Sequence, residues 1–111
     1  MERMCCWQMQ DRVLSMLGLA AKAGKVVSGE FSVEKAVKSN KACLVIVAED
    51  ASDNTKKMFT NMCTFYEVPI YFYGNKETLG NAIGKMTRAS IGLLDTGFSE
   101  AIVKKIKTEQ E

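Results

Sequence analysis

The chain contains few residue combinations that could carry out covalent chemistry. It has no histidine, the side chain most often used as a general base near neutral pH. The carboxylate pair Glu49-Asp50 follows an aliphatic run and could in principle hold Mg²⁺ or accept a phosphoryl group. No further acidic cluster or phosphate-binding glycine motif accompanies the pair, so a simpler interpretation places one carboxylate near the start of the following helix. We therefore expect a protein that is not an enzyme and needs no cofactor or metal.

The cysteines also indicate no metal centre. Cys43 lies in a predicted apolar strand and Cys63 on the apolar face of a predicted helix, so both are expected to be reduced core residues. Cys5 and Cys6 are adjacent, which is a poor geometry for an ordinary disulfide. None of the spacings resembles a zinc site.

Length and charge define a small and weakly basic protein. The 111 residues predict one domain over 1–111, with a loose lead-in at 1–7 and a tail at 108–111. The net charge of +2 is too small by itself to indicate nucleic-acid binding. No apolar run approaches the ~20 residues of a membrane-spanning helix, and the N-terminus lacks the apolar region of a signal peptide. We expect a cytoplasmic protein that does not associate with membranes.

The start of one predicted helix is a candidate binding site. Gly29-Glu30 opens a helix whose first backbone N–H groups face outward, and Lys35 and Lys38 lie further along it. A phosphate backbone or a base edge would suit this helix start, although an ordinary solvated helix has the same pattern. Four aromatic residues could stack on bases: Tyr66, Tyr71, Phe72 and Tyr73. The structural alternative is that Tyr66 belongs to the apolar stripe of a helix and the other three to a strand.

Alternating helices and strands position these residues in the first half of the chain. Apolar spacing predicts a helix over about residues 8–23, followed by a short strand over 25–28. Residues 42–48 lack polar alternation and predict a central strand buried on both faces. Between these strands lies a helix from Gly29 to about Ser39, whose inward side chains are expected to be Phe31, Val33, Ala36 and Val37.

The second half continues the alternation. Ser52 is expected to cap the next helix and Asn75 a shorter one, with a strand over 68–73 between them. A strand over 88–95 and a final helix from Thr96 complete the chain. The pattern predicts a three-layer α/β/α sandwich around a mixed, roughly four-stranded sheet. The apolar stripe of the helix after Ser52 is expected to contain Met58, Phe59, Met62, Cys63, Phe65 and Tyr66.

Four blocks of the chain form a recognisable series: GEFSVEK from Gly29, VAED from Val47, Val68-Pro69, and KETLGNAIG from Lys76. In order and spacing they resemble the ribosomal protein L7Ae/L30e family. The segments LGLAAKAGKVVSGE and AEDASDNTKK are most similar to its bacterial YlxQ-like branch. The resemblance spans roughly residues 17–102 and implies an L30e-like fold. It also implies binding to structured RNA, either ribosomal RNA or kink-turns, which are sharply bent internal loops closed by tandem sheared G·A pairs. The ribosome is a further implied partner, and we expect a monomer.

The same resemblance implies an RNA-binding surface made from three turns. Lysine, arginine and helix-start amides would hold phosphates, and a mostly apolar loop would support an extruded nucleotide. The three turns are the helix start, the loop after the central strand together with Lys76, and the loop before the last strand. Their candidate residues are Gly29, Glu30, Phe31, Ser32, Lys35, Glu49, Ser52, Lys76, Lys85, Met86, Thr87 and Arg88.

The chain departs from the family pattern at the centre of this surface. Phe31 and Ser32 stand where the family has an Asn-Glu pair that reads guanine edges. Phe31 cannot make such hydrogen bonds, and Ser32 cannot present a carboxylate. Losing one bidentate base contact costs roughly 1–3 kcal/mol, so we expect altered specificity and weaker binding to kink-turns. Phe31 could stack on a base, but we expect it to be partly buried. The alternative function is a protein-interaction module of the same fold that does not bind kink-turns.

Overall fold

Helices and strands alternate along the chain in the computed structural model. It describes the backbone of residues 12–110 and the side chains of residues 12–107. The predicted lead-in, the first residues of the predicted first helix, and Cys5-Cys6 lie outside the described residues. The elements are α1 Arg12–Lys22, β1 Val26–Ser28, α2 Glu30–Lys38, β2 Leu44–Val47, α3 Asp53–Tyr66, β3 Ile70–Phe72, α4 Lys76–Ala82, β4 Ser90–Leu93 and α5 Thr96–Gln110.

The four strands form one mixed sheet in the order β1-β4-β2-β3. Strand β4 runs antiparallel to both β1 and β2, whereas β2 and β3 are parallel. Strands β1, β2 and β3 therefore finish at the same end of the sheet, where β4 begins. We call this the loop end of the sheet, because the turns after β1, β2 and β3 and the turn before β4 meet there.

Two groups of helices cover the sheet. Helix α1 packs against α4 and α5, and α2 packs against α3. Strands β2 and β4 are buried along their whole length, and the side chains of Leu44 to Val47 have no exposed surface. The predicted α/β/α sandwich and its buried central strand are confirmed.

The helix starts that the sequence predicted from capping residues are also confirmed. Ser52 Oγ accepts a hydrogen bond from the Thr55 N–H at 3.2 Å and begins α3. Asn75 Oδ1 accepts from the Thr78 N–H at 2.8 Å, and Thr78 Oγ1 accepts in return from the Asn75 N–H at 3.0 Å. These bonds satisfy backbone donors that the first helical turn leaves free.

Two phenylalanines predicted to face the core are exposed instead. Phe31 has 76% of its surface exposed, so the expectation that it is partly buried is wrong. At about 100° per residue, Phe31 lies about 120° or more from the buried residues Val33, Ala36 and Val37. Phe65 is 78% exposed because it lies about 120° around α3 from the buried Phe59 and about 160° from the buried Cys63. Its ring packs edge-on against Tyr66, with centroids 4.9 Å apart.

Cys43 and Cys63 are both free thiols, as predicted. Cys63 is fully buried, whereas Cys43 is half-buried and its Sγ lies 3.6 Å from Thr96 Oγ1. Burial raises the pKa of the Cys63 thiol to about 11, because the thiolate loses its hydration in the core.

We expect Cys63 to resist alkylation by iodoacetamide at pH 8 in the native protein, because the thiolate is the reactive species. The pKa of Cys63 is higher in the folded than in the unfolded protein, so the buried neutral thiol also contributes to the free energy of unfolding. This contribution is complete below about pH 8.5 and is lost as pH rises through about 11. Mass spectrometry of the alkylated peptides measures the first effect. The difference in unfolding free energy from Cys63→Ala, followed from pH 8 to 11, measures the second. Native labelling of Cys63 as fast as Cys43 would contradict the prediction.

Candidate nucleic-acid interface

The three turns that the sequence singled out meet at the loop end of the sheet. The Gly29 N–H, just after β1, donates to the Ser90 carbonyl at the start of β4 at 3.1 Å. The Ala48 N–H, just after β2, donates to the Ala89 carbonyl at 2.8 Å. Backbone hydrogen bonds therefore hold the helix start, the loop after β2 and the loop before β4 together.

Arg88 connects two of these turns. Its backbone N–H donates to the Lys76 carbonyl at 3.0 Å, and its Nε donates to Ser28 Oγ at 3.2 Å, next to the α2 start. Its Nη1 donates to the Thr87 carbonyl at 2.9 Å. Arg88 is half-buried, and its guanidinium retains further donors beyond these bonds. Arg88 thus holds a positive charge between α2 and α4.

Asp50 fixes the position of Lys76. Its Oδ1 accepts a hydrogen bond from the Lys76 N–H at 2.9 Å, across 26 residues of sequence. A carboxylate at this position interacts favourably with the N-terminus of α4. The sequence interpretation placed one carboxylate of Glu49-Asp50 near the start of the following helix, α3. The structure shows that Ser52 caps α3 and that Asp50 bonds to the start of α4.

Helix α2 begins without a side-chain cap. Gly29 occupies its N-cap position with φ 94°, a left-handed backbone conformation that favours glycine, and makes no side-chain cap bond. Nothing lies within 4 Å of the position that a Cβ of residue 29 would occupy. By contrast, Ser52, Asn75 and Asp95 supply caps at the starts of α3, α4 and α5. The first amides of α2 are therefore open to an anion.

The cations of this surface are not neutralised by ion pairs within the described part of the chain. The ion pair found there joins Lys38 Nζ to Glu34 Oε2 at 2.8 Å on α2. The surface also carries two exposed acids, Glu30 and Glu49, so it is not uniformly positive. Its positive charge is confined to the immediate surroundings of four side chains. The unpaired cations are Lys35, Lys76, Lys85 and Arg88.

The loop before β4 lies against α4. The Lys85 N–H donates to the Gly80 carbonyl at 2.8 Å, and Met86 at the tip is 82% exposed. A Cβ at Gly80 would lie 1.5 Å from the Met86 carbonyl oxygen. Gly80 therefore allows the loop to pack on α4.

The other aromatic candidates lie elsewhere. All four are half-buried and pack against the core, which supports their structural interpretation: Tyr66, Tyr71, Phe72 and Tyr73. Within residues 12–107, no group of three or more acidic or cysteine side chains is placed to hold a metal ion. None of the helices in the described part of the chain has the length and apolar character needed to cross a membrane.

Comparison with known proteins assigns the family. The family model described as the ribosomal protein L7Ae/L30e/S12e/Gadd45 family matches residues 11–103. The chain belongs to this family. Among its L7Ae/L30e relatives is the RNA-binding protein YlxQ of Bacillus subtilis (strain 168), which is 42% identical over 88 residues, or 79% of this chain and 88% of that protein.

Solved structures of L7Ae/L30e type share the fold. A protein of unknown function from Bacillus halodurans C superposes with a TM-score of 0.83 at 43% identity, over 86% of this chain and 96% of that one. The Giardia lamblia 15.5kD RNA binding protein superposes with a TM-score of 0.76 at 25% identity, over 91% and 89% of the two chains. These similarities confirm the predicted L30e-like architecture.

Proposed function

We propose that this protein binds structured RNA, of the ribosomal or kink-turn-like kind, without catalysing a reaction. One observation carries the proposal: the uncapped start of α2 and two cations without ion pairs, Lys76 and Arg88, are joined at the loop end of the sheet. Backbone amides and cations at one end of a rigid sheet suit a phosphate backbone. The protein would act as a monomeric single domain in the cytoplasm, with the ribosome as a further partner.

Each element of the surface has a role in this proposal. Helix-start amides near Glu30 and the side chains of Lys35, Lys76, Lys85 and Arg88 would contact phosphates, and Gly29 would allow the backbone to approach closely. Ser32 would make one polar contact to a base. Glu49 and Ser52 would border the site, and Met86-Thr87 would support an unstacked nucleotide. Because Phe31 and Ser32 replace the pair that reads guanine edges, the protein would select its RNA by other contacts.

Relatives support the class of ligand. The Bacillus subtilis YlxQ protein and the Giardia protein are both named as RNA-binding. The local character of the positive charge fits a ligand held by a few phosphates rather than a long duplex track.

The experiment is a salt titration of RNA binding. We expect the protein to bind a hairpin containing a kink-turn internal loop more tightly than a fully paired hairpin of the same length. Lys35→Ala should make the negative slope of log K against log salt shallower by roughly 0.7–0.9, because one phosphate contact is lost. Filter binding or fluorescence anisotropy from 50 to 300 mM KCl measures both quantities.

Lys41→Ala is the matched control. Lys41 is exposed and lies before the amino end of β2, at the opposite end of the sheet from the loop end. Its removal changes the net charge by the same amount and should leave the slope nearly unchanged. Equal effects of the two substitutions would mean that binding is general charge attraction. Absence of binding to the internal-loop hairpin and to ribosomal RNA fragments would overturn the proposal.

The exposure of Phe31 favours a second candidate function, a protein-interaction module. An exposed phenyl ring suits an apolar contact with a partner protein. The two functions differ in their response to salt. Binding through phosphates weakens steeply as salt rises, whereas an apolar protein contact is nearly insensitive to it.

A further inference from the structure

Phe31 presents an unpartnered aromatic ring at the loop end of the sheet. It is the second residue of α2, and 76% of its surface is exposed. Within the residues whose side chains are described, the aromatic contact found is that of Phe65 with Tyr66, so Phe31 stacks on no other ring. The helical turn directs it away from Val33 and Val37, so local side-chain rotation cannot bury it in the core.

A cation lies one turn along from this ring. Lys35 is four residues after Phe31, so the two side chains are neighbours on the helix surface, with Cβ atoms roughly 5–6 Å apart. Lys35 is exposed and makes no ion pair in the described part of the chain. Glu34 lies on this side of the helix, and its carboxylate is held 2.8 Å from Lys38 Nζ. Glu30, which is also exposed, lies about 100° around the helix from Phe31 and about 140° from Lys35. Lys35 is therefore an unpaired cation on the side of the helix that carries the ring.

An aromatic ring and an unpaired cation one turn apart match the chemistry of a single nucleotide. A base stacks on an aromatic face, and the phosphate of the same strand pairs with an ammonium group. We propose that Phe31 stacks on an unpaired base of the bound RNA while Lys35 holds a phosphate of the same strand. This rests on the proposed function and specifies its ligand.

Stacking selects differently from hydrogen bonding. Every base has a π-face, so a stacking contact distinguishes unpaired from paired nucleotides and tolerates changes of base identity. The surface would thus recognise an RNA internal loop or bulge by an available base rather than by guanine edges. This specificity follows directly from the replacement of a polar side chain by Phe31 in an exposed position.

The test combines protein variants with RNA lesions. The probe is an internal-loop hairpin, together with copies in which each unpaired nucleotide in turn is made abasic. Phe31→Ala should weaken binding to the intact hairpin roughly 10- to 100-fold with an unchanged salt slope, whereas Phe31→Trp should retain affinity. One abasic lesion should weaken wild-type binding by a similar factor and have little further effect on Phe31→Ala.

Phe65→Ala is the matched control, because Phe65 is equally exposed but lies at the far end of α3 from the loop end. It should bind like the wild type. Full affinity of Phe31→Ala alongside weakened Lys35→Ala would overturn stacking and leave the proposed RNA binding intact. Additive losses from Phe31→Ala and every abasic lesion would also overturn it, because Phe31 would then contribute to RNA binding without stacking on any of the unpaired bases. Wild-type failure to bind any of the hairpins would remove both proposals.

Discussion

Replacing Gly80 with alanine is expected to lower the free energy of unfolding by about 3 kcal/mol or more. The new Cβ would lie 1.5 Å from the Met86 carbonyl oxygen and 2.6 Å from its carbon. These are backbone atoms, so relief requires the loop or α4 to move, and overpacking that shifts backbone costs about 1–3 kcal/mol or more. Urea unfolding followed by circular dichroism measures the change.

The neighbouring substitution Asn81→Ala is the control for Gly80→Ala. Asn81 lies on the same helix and is exposed, so its replacement should change stability by less than about 0.5 kcal/mol. Similar stabilities for the two variants would show that the loop before β4 does not pack on α4 in solution. A variant too unstable to purify would be compared by its midpoint of thermal unfolding in cell lysate.

Removing three cations together is expected to weaken RNA binding by roughly 10²-fold at 0.1 M salt. In the variant with Lys35, Lys76 and Arg88 all changed to glutamine, the negative slope of log K against log salt should become shallower by about 2–3. This is the sum expected for three lost phosphate contacts. The three residues are suitable because hydrogen bonds connect Arg88 to Lys76 and to the α2 start. Anisotropy titrations at several salt concentrations measure affinity and slope together.

The control for this triple change removes three cations elsewhere. Lys22, Lys25 and Lys41 are exposed and flank the amino ends of β1 and β2, away from the loop end. Glutamine at these positions produces the same net charge with little expected change in slope. Equal slopes in the two triple variants would contradict a phosphate site at the loop end. Unfolding curves of both variants check that Arg88→Gln, which loses a bond to Ser28, leaves the fold intact.

Local rules of sequence were sufficient for most of the fold. The N-caps of α3 and α4 depend on Ser52 and Asn75 and on residues within three positions of them. The burial of β2 follows from an uninterrupted apolar run, which only an interior strand accommodates. These signals act within a few residues, so they can be read before the tertiary structure is known.

The parts that sequence reasoning missed have different causes. The exposure of Phe31 could have been found, because its helical angle separates it from Val33 and Val37. The contact of Asp50 with the start of α4 could not, since it depends on which strands are neighbours in the sheet. The same holds for the approach of Met86 to Gly80, which is set by the path of a loop rather than by composition.

The meeting of separate turns at the loop end has a thermodynamic consequence. The α2 start, Lys76 and Arg88 come together only after β4 has inserted between β1 and β2, so the surface exists only in the folded sheet. Any ligand held across these turns must therefore bind the native state and not the unfolded chain. At a ligand concentration 100 times its Kd, such linkage adds about 2.7 kcal/mol to the stability of the whole sheet. Occupancy of the surface would then protect core amides, including those of β2, from hydrogen exchange by global unfolding.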